Sequence, residues 1–310
     1  MDKQNSNLHN DFFKVSFSRQ DVVQDYIKQF LNENLVKNID LQTLTLSDTS
    51  YVTGKLAEYA SDIVWESKYG AAETPIKIAF LFEHKSFVPK FPHIQLLRYM
   101  LEIWEECEEN SKPLTPIIPI IVYHNKENRH WHYKPFSDYF KDIDPFLLPY
   151  IPKFDYELTD LTALTPEQWA AMQMTLLLHA LQTLQFGTNK EYVLENVKTL
   201  FVSLKNDPSD DHLRTFLLAQ LVYVLKSSDF GPEKVKSIIN EVKNTTGMNS
   251  YDYLMDEAKK EGIDLGVTKG KREVIKNILA EFPQWSDEKI ANLATSTIEV
   301  VKSIRAELKK

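Results

Sequence analysis

The run Ile76-Lys77-Ile78-Ala79-Phe80-Leu81-Phe82 constrains this chain more than any other segment. A nearly unbroken apolar run of this length, opened by Pro75, reads as a strand in the middle of a sheet. It closes on Glu83-His84-Lys85-Ser86, so polar groups gather at one end of a buried strand. Upstream, Ala60–Trp65 contains Ser61-Asp62-Ile63-Val64-Trp65 and reads as a second strand. Tyr69–Thr74 lies between them, holds Gly70, Ala71 and Ala72, and reads as a turn. Strand, short turn and strand predict an antiparallel hairpin that sets Asp62 beside Glu83.

The rest of the first half alternates helices with strands. His9–Asn32 predicts a helix with an apolar face of Phe12, Phe13, Phe17, Val22, Val23, Tyr26, Ile27 and Phe30, broken near Ser18. Leu41–Leu46 alternates and suits a short strand. His93–Glu109 predicts a helix with Ile94, Leu97, Leu101 and Trp104 on its apolar side. Pro116–His124 is another buried strand, its prolines near the start. From Thr165 the pattern is helical throughout. Pro166 stands at a first helical position, and helices are expected from Trp169 to Leu184 and around 192–204, 211–226 and 232–243. After Met255 a charged, glycine-bearing stretch leads to three short helical patterns, 274–282, 287–294 and 298–308, the second capped by Ser286-Asp287-Glu288. The expected fold class is α/β, with a mixed central sheet flanked by helices and an all-α C-terminal extension. The expected domains are 1–160 for the core, 161–250 for a helical extension packed on it, and 251–310 for a small helical tail.

Composition excludes several classes. With 8 glycines in 310 residues and no GxxxxGK[ST] or GxGxxG, a glycine-rich nucleotide loop is not expected. The single Cys107 rules out a disulfide framework and a cysteine-based zinc site, which suits the cytoplasm. The polar start Met1-Asp2-Lys3-Gln4-Asn5-Ser6 has no apolar core of a signal peptide, and no run reaches membrane-spanning length. A net charge of -8 argues against a general nucleic-acid binder, although a metal site supplies positive charge locally.

Two readings compete for the polar strand ends. In a strand Glu83 and Lys85 share a face and His84 takes the other. With Asp62 alongside, two carboxylates and an ammonium converge. Asp62 and Glu83 offer hard oxygen ligands to Mg²⁺, with Mn²⁺ or Ca²⁺ as alternatives, and the His84 backbone carbonyl adds another. Lys85 would orient a water and offset charge on a phosphate. Gln95 and Tyr99, one helical turn apart, share a face of the following helix. In the plainer reading Asp62 bonds a backbone amide, Glu83 and Lys85 are a solvated pair worth little, and Gln95 and Tyr99 are surface residues. A Glu-x-Lys tripeptide alone arises about once in a chain this long by composition. A histidine zinc site is conceivable, with His130-Trp131-His132 presenting two rings on one strand face, but no third ligand falls at a usual spacing. The cluster Lys259, Lys260, Lys269, Lys271, Arg272 and Lys276 could meet DNA phosphates or form a solvated linker. The terminal helices could form a small helix-turn-helix-like unit, and they equally suit a homo-oligomer contact.

Further segments carry a resemblance. His9-Asn10-Asp11-Phe12-Phe13-Lys14, Ser61-Asp62-Ile63-Val64, Leu81-Phe82-Glu83-His84-Lys85-Ser86, Gln95-Leu96-Leu97-Arg98-Tyr99-Met100 and Pro119-Ile120-Ile121-Val122-Tyr123-His124 follow in order over about residues 8–135. This set resembles the recombination-promoting nuclease (Rpn), or YhgA-like transposase, family, a branch of the PD-(D/E)xK nuclease superfamily. The resemblance implies a restriction-endonuclease-like core and a metal-dependent DNA endonuclease linked to recombination or phage defence. It puts Asp62, Glu83 and Lys85 at catalytic positions and Gln95 and Tyr99 in a supporting helix motif. Many family members carry Gln where this chain has Lys85, and Asn125 stands where Gly is common. A non-catalytic DNA-binding or interaction module on the same fold is the alternative, and a helical scaffold working through 165–310 is a third.

Overall fold

The computed structural model describes residues 3–47, 63–84, 90–125, 129–173, 175–201, 211–228, 230–247, 275–276, 278–279, 283–294 and 298–307. Two compact units are present, Met1–Met248 and Asn249–Lys310.

The first unit is built on a five-stranded sheet in the order β1 (Thr45–Leu46), β2 (Ile63–Tyr69), β3 (Thr74–His84), β4 (Ile117–His124) and β5 (Glu157–Asp160). β2 runs antiparallel to both β1 and β3, whereas β3, β4 and β5 run parallel. The expected hairpin is present. Tyr69 pairs with Thr74, and the turn between them relies on Gly70 at φ +68, a conformation open to glycine at little cost. Leu41–Thr43 is a 3-10 turn rather than strand, because the Asp40 carboxylate accepts the Gln42 backbone N–H and curls the chain. Of the segment Leu41–Leu46, Thr45–Leu46 alone pairs with β2.

β3 is central and covered on both faces. Ile76, Ile78, Ala79 and Phe80 are all buried. Phe80 packs against Phe17 and Tyr26, with ring centroids 5.4 and 5.2 Å away. These rings come from α1 (Lys3–Phe17) and α2 (Gln20–Phe30), which break at Ser18-Arg19 as expected. Ala79 points the other way and packs with Val64, Tyr99 and Ile103. Tyr99 and Ile103 belong to the crossover helix α4 (Pro92–Glu109), which joins β3 to its parallel neighbour β4 and follows the short α3 (Glu33–Val36). A parallel pair requires such a crossover, and helices on both faces follow from it.

Two further sequence expectations need correction. The buried side of α4 is His93, Leu96, Tyr99, Met100, Ile103 and Cys107. Of the residues expected there, Ile94 and Leu101 are exposed and Leu97 and Trp104 half-buried. Two apolar stripes run along this helix, and the sheet selects the one bearing Leu96 and Ile103. His130-Trp131-His132 is not a strand. The Trp131 backbone N–H donates to the Asp160 carboxylate at 2.8 Å rather than to a neighbouring strand, and Trp131 is buried while both histidines are exposed.

The helices after β5 are α5 (Pro166–Ala171), α6 (Leu176–Phe186), α7 (Lys190–Leu200), α8 (Asp211–Ser227) and α9 (Pro232–Thr246). Thr165 caps α5 in a reciprocal box with Gln168, with Pro166 at the first helical position. The expected helix from Trp169 to Leu184 is interrupted, since Met172 adopts an extended conformation (ψ 140) and α6 begins afresh. In α8, Tyr223 reaches α1, its hydroxyl 2.6 Å from His9 Nδ1.

The second unit is a small helical cluster. Ile275, Leu279, Ile290, Ala291, Ala294, Val301 and Ile304 form its core. Arg305 ties it together through Asp287 Oδ1 (2.8 Å) and the Pro283 and Trp285 carbonyls. Lys289 N–H donates to Ser286 Oγ at 3.3 Å, the cap expected from sequence.

Phe80 ties β3 to α1 and α2 at once. Phe80→Ala is therefore expected to cost about 3–5 kcal/mol of folding stability. Urea unfolding followed by far-UV circular dichroism measures this, and an unchanged midpoint would contradict the packing.

Candidate functional site

Glu83 and His84 are the last two residues of β3, in register with Tyr123 and His124 of β4. Both strands, being parallel, end together, and α4 begins shortly after. Among the expected site residues, Asp62 and Lys85 lie outside the described residues, as do Lys269, Lys271 and Arg272. The structure begins β2 at Ile63, the residue after Asp62, and pairs it with Phe80. Gln95 is half-buried on the first turns of α4. Tyr99 is 5% exposed and packs on Val64, Ala79 and Ile103, so it is no ordinary surface residue. β2, β3 and the N-terminal half of α4 are thus brought together around Tyr99. Among the described residues, no group of three or more His, Cys, Asp or Glu could hold a metal ion.

The two faces of this strand end differ in character. On the α1 side, His124 is buried against His9, with centroids 5.2 Å apart, and His9 in turn meets Tyr223. This places His124 in packing, as its position at the end of a buried strand suggested. On the α4 side, Tyr123 lies edge-on to Trp131 within a cluster of Leu96, Ile121 and Tyr156.

The structure reveals an aromatic enclosure that the sequence does not announce. His93, in the first turn of α4, is fully buried. It stacks on Phe136 at 5.0 Å and meets Tyr139, Phe154 and Tyr156 edge-on. Neither ring nitrogen has a hydrogen-bond partner. Burial lowers the His93 pKa, and the nearby Asp155 opposes that only partly. Burial also pushes the Tyr156 phenol up to about 12. All four rings come from 136–156, far from His93 in sequence, so only a view of the folded chain could find them.

At the other end of β3, Lys77 is buried and paired. Its Nζ lies 2.8 Å from Glu66 Oε1, its cross-strand neighbour, and Ser47 Oγ donates to the same oxygen. The Lys77 hydrogen bond holds the Glu66 carboxyl below the ordinary range. This pair explains how a lysine fits inside an apolar strand. None of the expected site residues belongs to it.

The family model described as "Putative transposase, YhgA-like" matches residues 7–212. Recombination-promoting nuclease RpnA of Escherichia coli strain K12 is 25% identical over 181 residues, spanning 58% of this chain and 61% of that relative. Recombination-promoting nuclease RpnD of Escherichia coli O157:H7 is 25% identical over 241 residues, 76% of this chain and 87% of its own length. The inactive recombination-promoting nuclease-like protein RpnE of strain K12 is 22% identical over 296 residues, 94% of this chain and 95% of its own. No solved structure matches. No helix among the described residues is long and apolar enough to cross a membrane.

The caged histidine makes stability depend on pH. Unfolded chains take up a proton at His93 near pH 6.5, whereas the folded protein resists it. The full stability is therefore present above that pH and declines as pH falls toward the lowered folded value. His93→Phe is expected to flatten this part of the stability profile, read as urea midpoints on either side of about pH 6.5. An identical acid-side decline in the variant would contradict the assignment.

Proposed function

The chain belongs to the YhgA-like transposase family, and on that premise we propose that it is a metal-dependent DNA endonuclease built on a PD-(D/E)xK core. The observation that carries this reading is the pairing of Val64 with Ala79 beneath Tyr99. Val64 follows Asp62 by two residues and Ala79 precedes Glu83 by four. In regular strands both steps return to the same face. If that alternation continues to both strand ends, Asp62 and Glu83 would share the face covered by α4, which carries Gln95 and Tyr99.

In this proposal Asp62, Glu83 and the His84 backbone carbonyl would hold Mg²⁺. The donor set is all oxygen, as that ion prefers, and the ion would supply Lewis acidity toward water and phosphate. Lys85 places its ammonium beside the scissile phosphate, orients the attacking water and offsets developing negative charge. Gln95 and Tyr99 position this edge of the site. The buried Tyr99 ring fixes α4 against β2 and β3. DNA would be held mainly through its backbone, giving weak sequence preference and strong salt dependence. Lys269, Lys271 and Arg272 are proposed as additional phosphate contacts.

A second reading has its own observation. RpnE, which is similar over nearly the full length of both chains, carries "inactive" in its name. A non-catalytic DNA-binding or interaction module on the same fold would fit that likeness. The nuclease reading is preferred because Asp62, Glu83 and Lys85 are all present here.

Plasmid cleavage with Mg²⁺, Mn²⁺ or Ca²⁺ tests this. The wild type is expected to nick and linearise DNA, and chelation to abolish it. Asp62→Ala should remove activity, and Lys85→Ala should lower it by about 10²–10³-fold. Equal cutting by all three proteins would reject the site. Retention of DNA without any cutting would favour the non-catalytic module.

A further inference from the structure

The connection from β4 to β5 carries an apolar turn that nothing in the proposed nuclease site uses. Pro145–Tyr150 forms a 3-10 turn that displays Phe146 at 87% exposure and Tyr150 at 83%, with Leu147 at 52%. The turn is internally braced. Asp144 accepts the Phe146 N–H at 2.9 Å, Leu147 N–H donates to the Asp144 carbonyl, and Pro145 and Pro149 limit the backbone further. Little ordering entropy would therefore be lost when these rings are covered.

Beside this knob lies a matching hollow. A cavity of about 550 Å³ is lined chiefly by Tyr133, Pro135, Phe136, Leu148, Ile151 and Phe154. Leu148 belongs to the turn itself and Ile151 follows it directly, so knob and hollow are contiguous. Phe136 and Phe154 also enclose His93, which anchors the floor of the hollow to α4.

We propose that this surface is a self-complementary interface on which a second copy of this chain docks. An isologous contact needs projecting and receiving shapes side by side on one patch, so that a two-fold axis sets each against the other. That juxtaposition is what residues 133–154 provide. Phe146 and Tyr150 would supply the aromatic anchors that dominate such interfaces. Together they offer about 300 Å² or more of apolar area toward the roughly 800 Å² per partner of a standard interface. The flanking charges are Lys141, Asp142 and Asp144 before the knob and Lys153 and Asp155 at the hollow. A nucleic acid would instead meet three carboxylates against two ammonium groups at this rim, on a chain of net charge -8.

Sedimentation velocity of the full chain over a wide concentration range tests the proposal. Phe146→Asp alters the knob and Pro152→Glu the hollow, and both positions are exposed, so circular dichroism should show intact folds for both. The wild type is expected to reach twice the mass of either variant. Any association through the C-terminal helices would persist in all three proteins and leave that twofold ratio intact. A wild type that stays monomeric, or variants that match its mass throughout, would overturn the proposal. Unchanged mass combined with weaker DNA retention by the variants would also overturn it, and would reassign the turn to DNA.

Discussion

Burial of β3 on both faces is the constraint on which the first unit depends. Phe80 is held by Phe17 and Tyr26 from one side, and Ala79 by Tyr99 and Ile103 from the other. A strand enclosed in this way has no solvent face, so every polar residue within it needs an explanation. Lys77 has one in Glu66. At the strand's far end the chain must leave the core, and there polar residues can stand beside an apolar wall. That position is where the family resemblance puts chemistry.

The crossover helix α4 does more than return the chain to a parallel strand. Its N-terminal half joins three parts of the fold. Tyr99 meets β2 and β3, Leu96 meets β4, and His93 meets the aromatic residues that precede β5. A shift of α4 would disturb all three together. This is a physical reason for Tyr99 to matter to a site at the β3 end even without touching a substrate, because it sets the separation between the sheet and Gln95. His93 gains its position at the expense of two ring nitrogens without hydrogen bonds, an unfavourable term that packing with four rings offsets.

The 129–156 connection is unusual in being both well packed and apolar outside. Its inner residues enclose His93, and its outer turn exposes Phe146 and Tyr150. Hydrophobic residues scattered singly on a surface need no account, but a braced aromatic pair beside an apolar hollow does. The family model covers this segment, and the matched relatives differ in whether their names describe an active nuclease. The proposed interaction surface on this segment and the proposed catalysis at the β3 end rest on different residues, and a relative could keep one without the other.

Local pattern determined much of this protein. The Ile76–Phe82 run identified the central strand, Gly70 the hairpin turn, Ser18 the break between α1 and α2, and Pro166 the start of α5, because each rests on near-neighbour sterics, capping or periodicity. Of the proposed site residues, the strand-end position of Glu83 and the helical placement of Gln95 and Tyr99 were legible in the same way. Other features were decided only by tertiary structure. Which of two apolar stripes on α4 is buried depends on the sheet beneath it, since Ile94 and Leu96 are equally apolar in isolation. β5 is a short strand that exists because β4 offers an edge, and Trp131 is buried because Asp160 captures its backbone N–H. The His93 enclosure and the knob beside its hollow join residues from separate segments, and such long-range packing leaves no periodic trace in the chain.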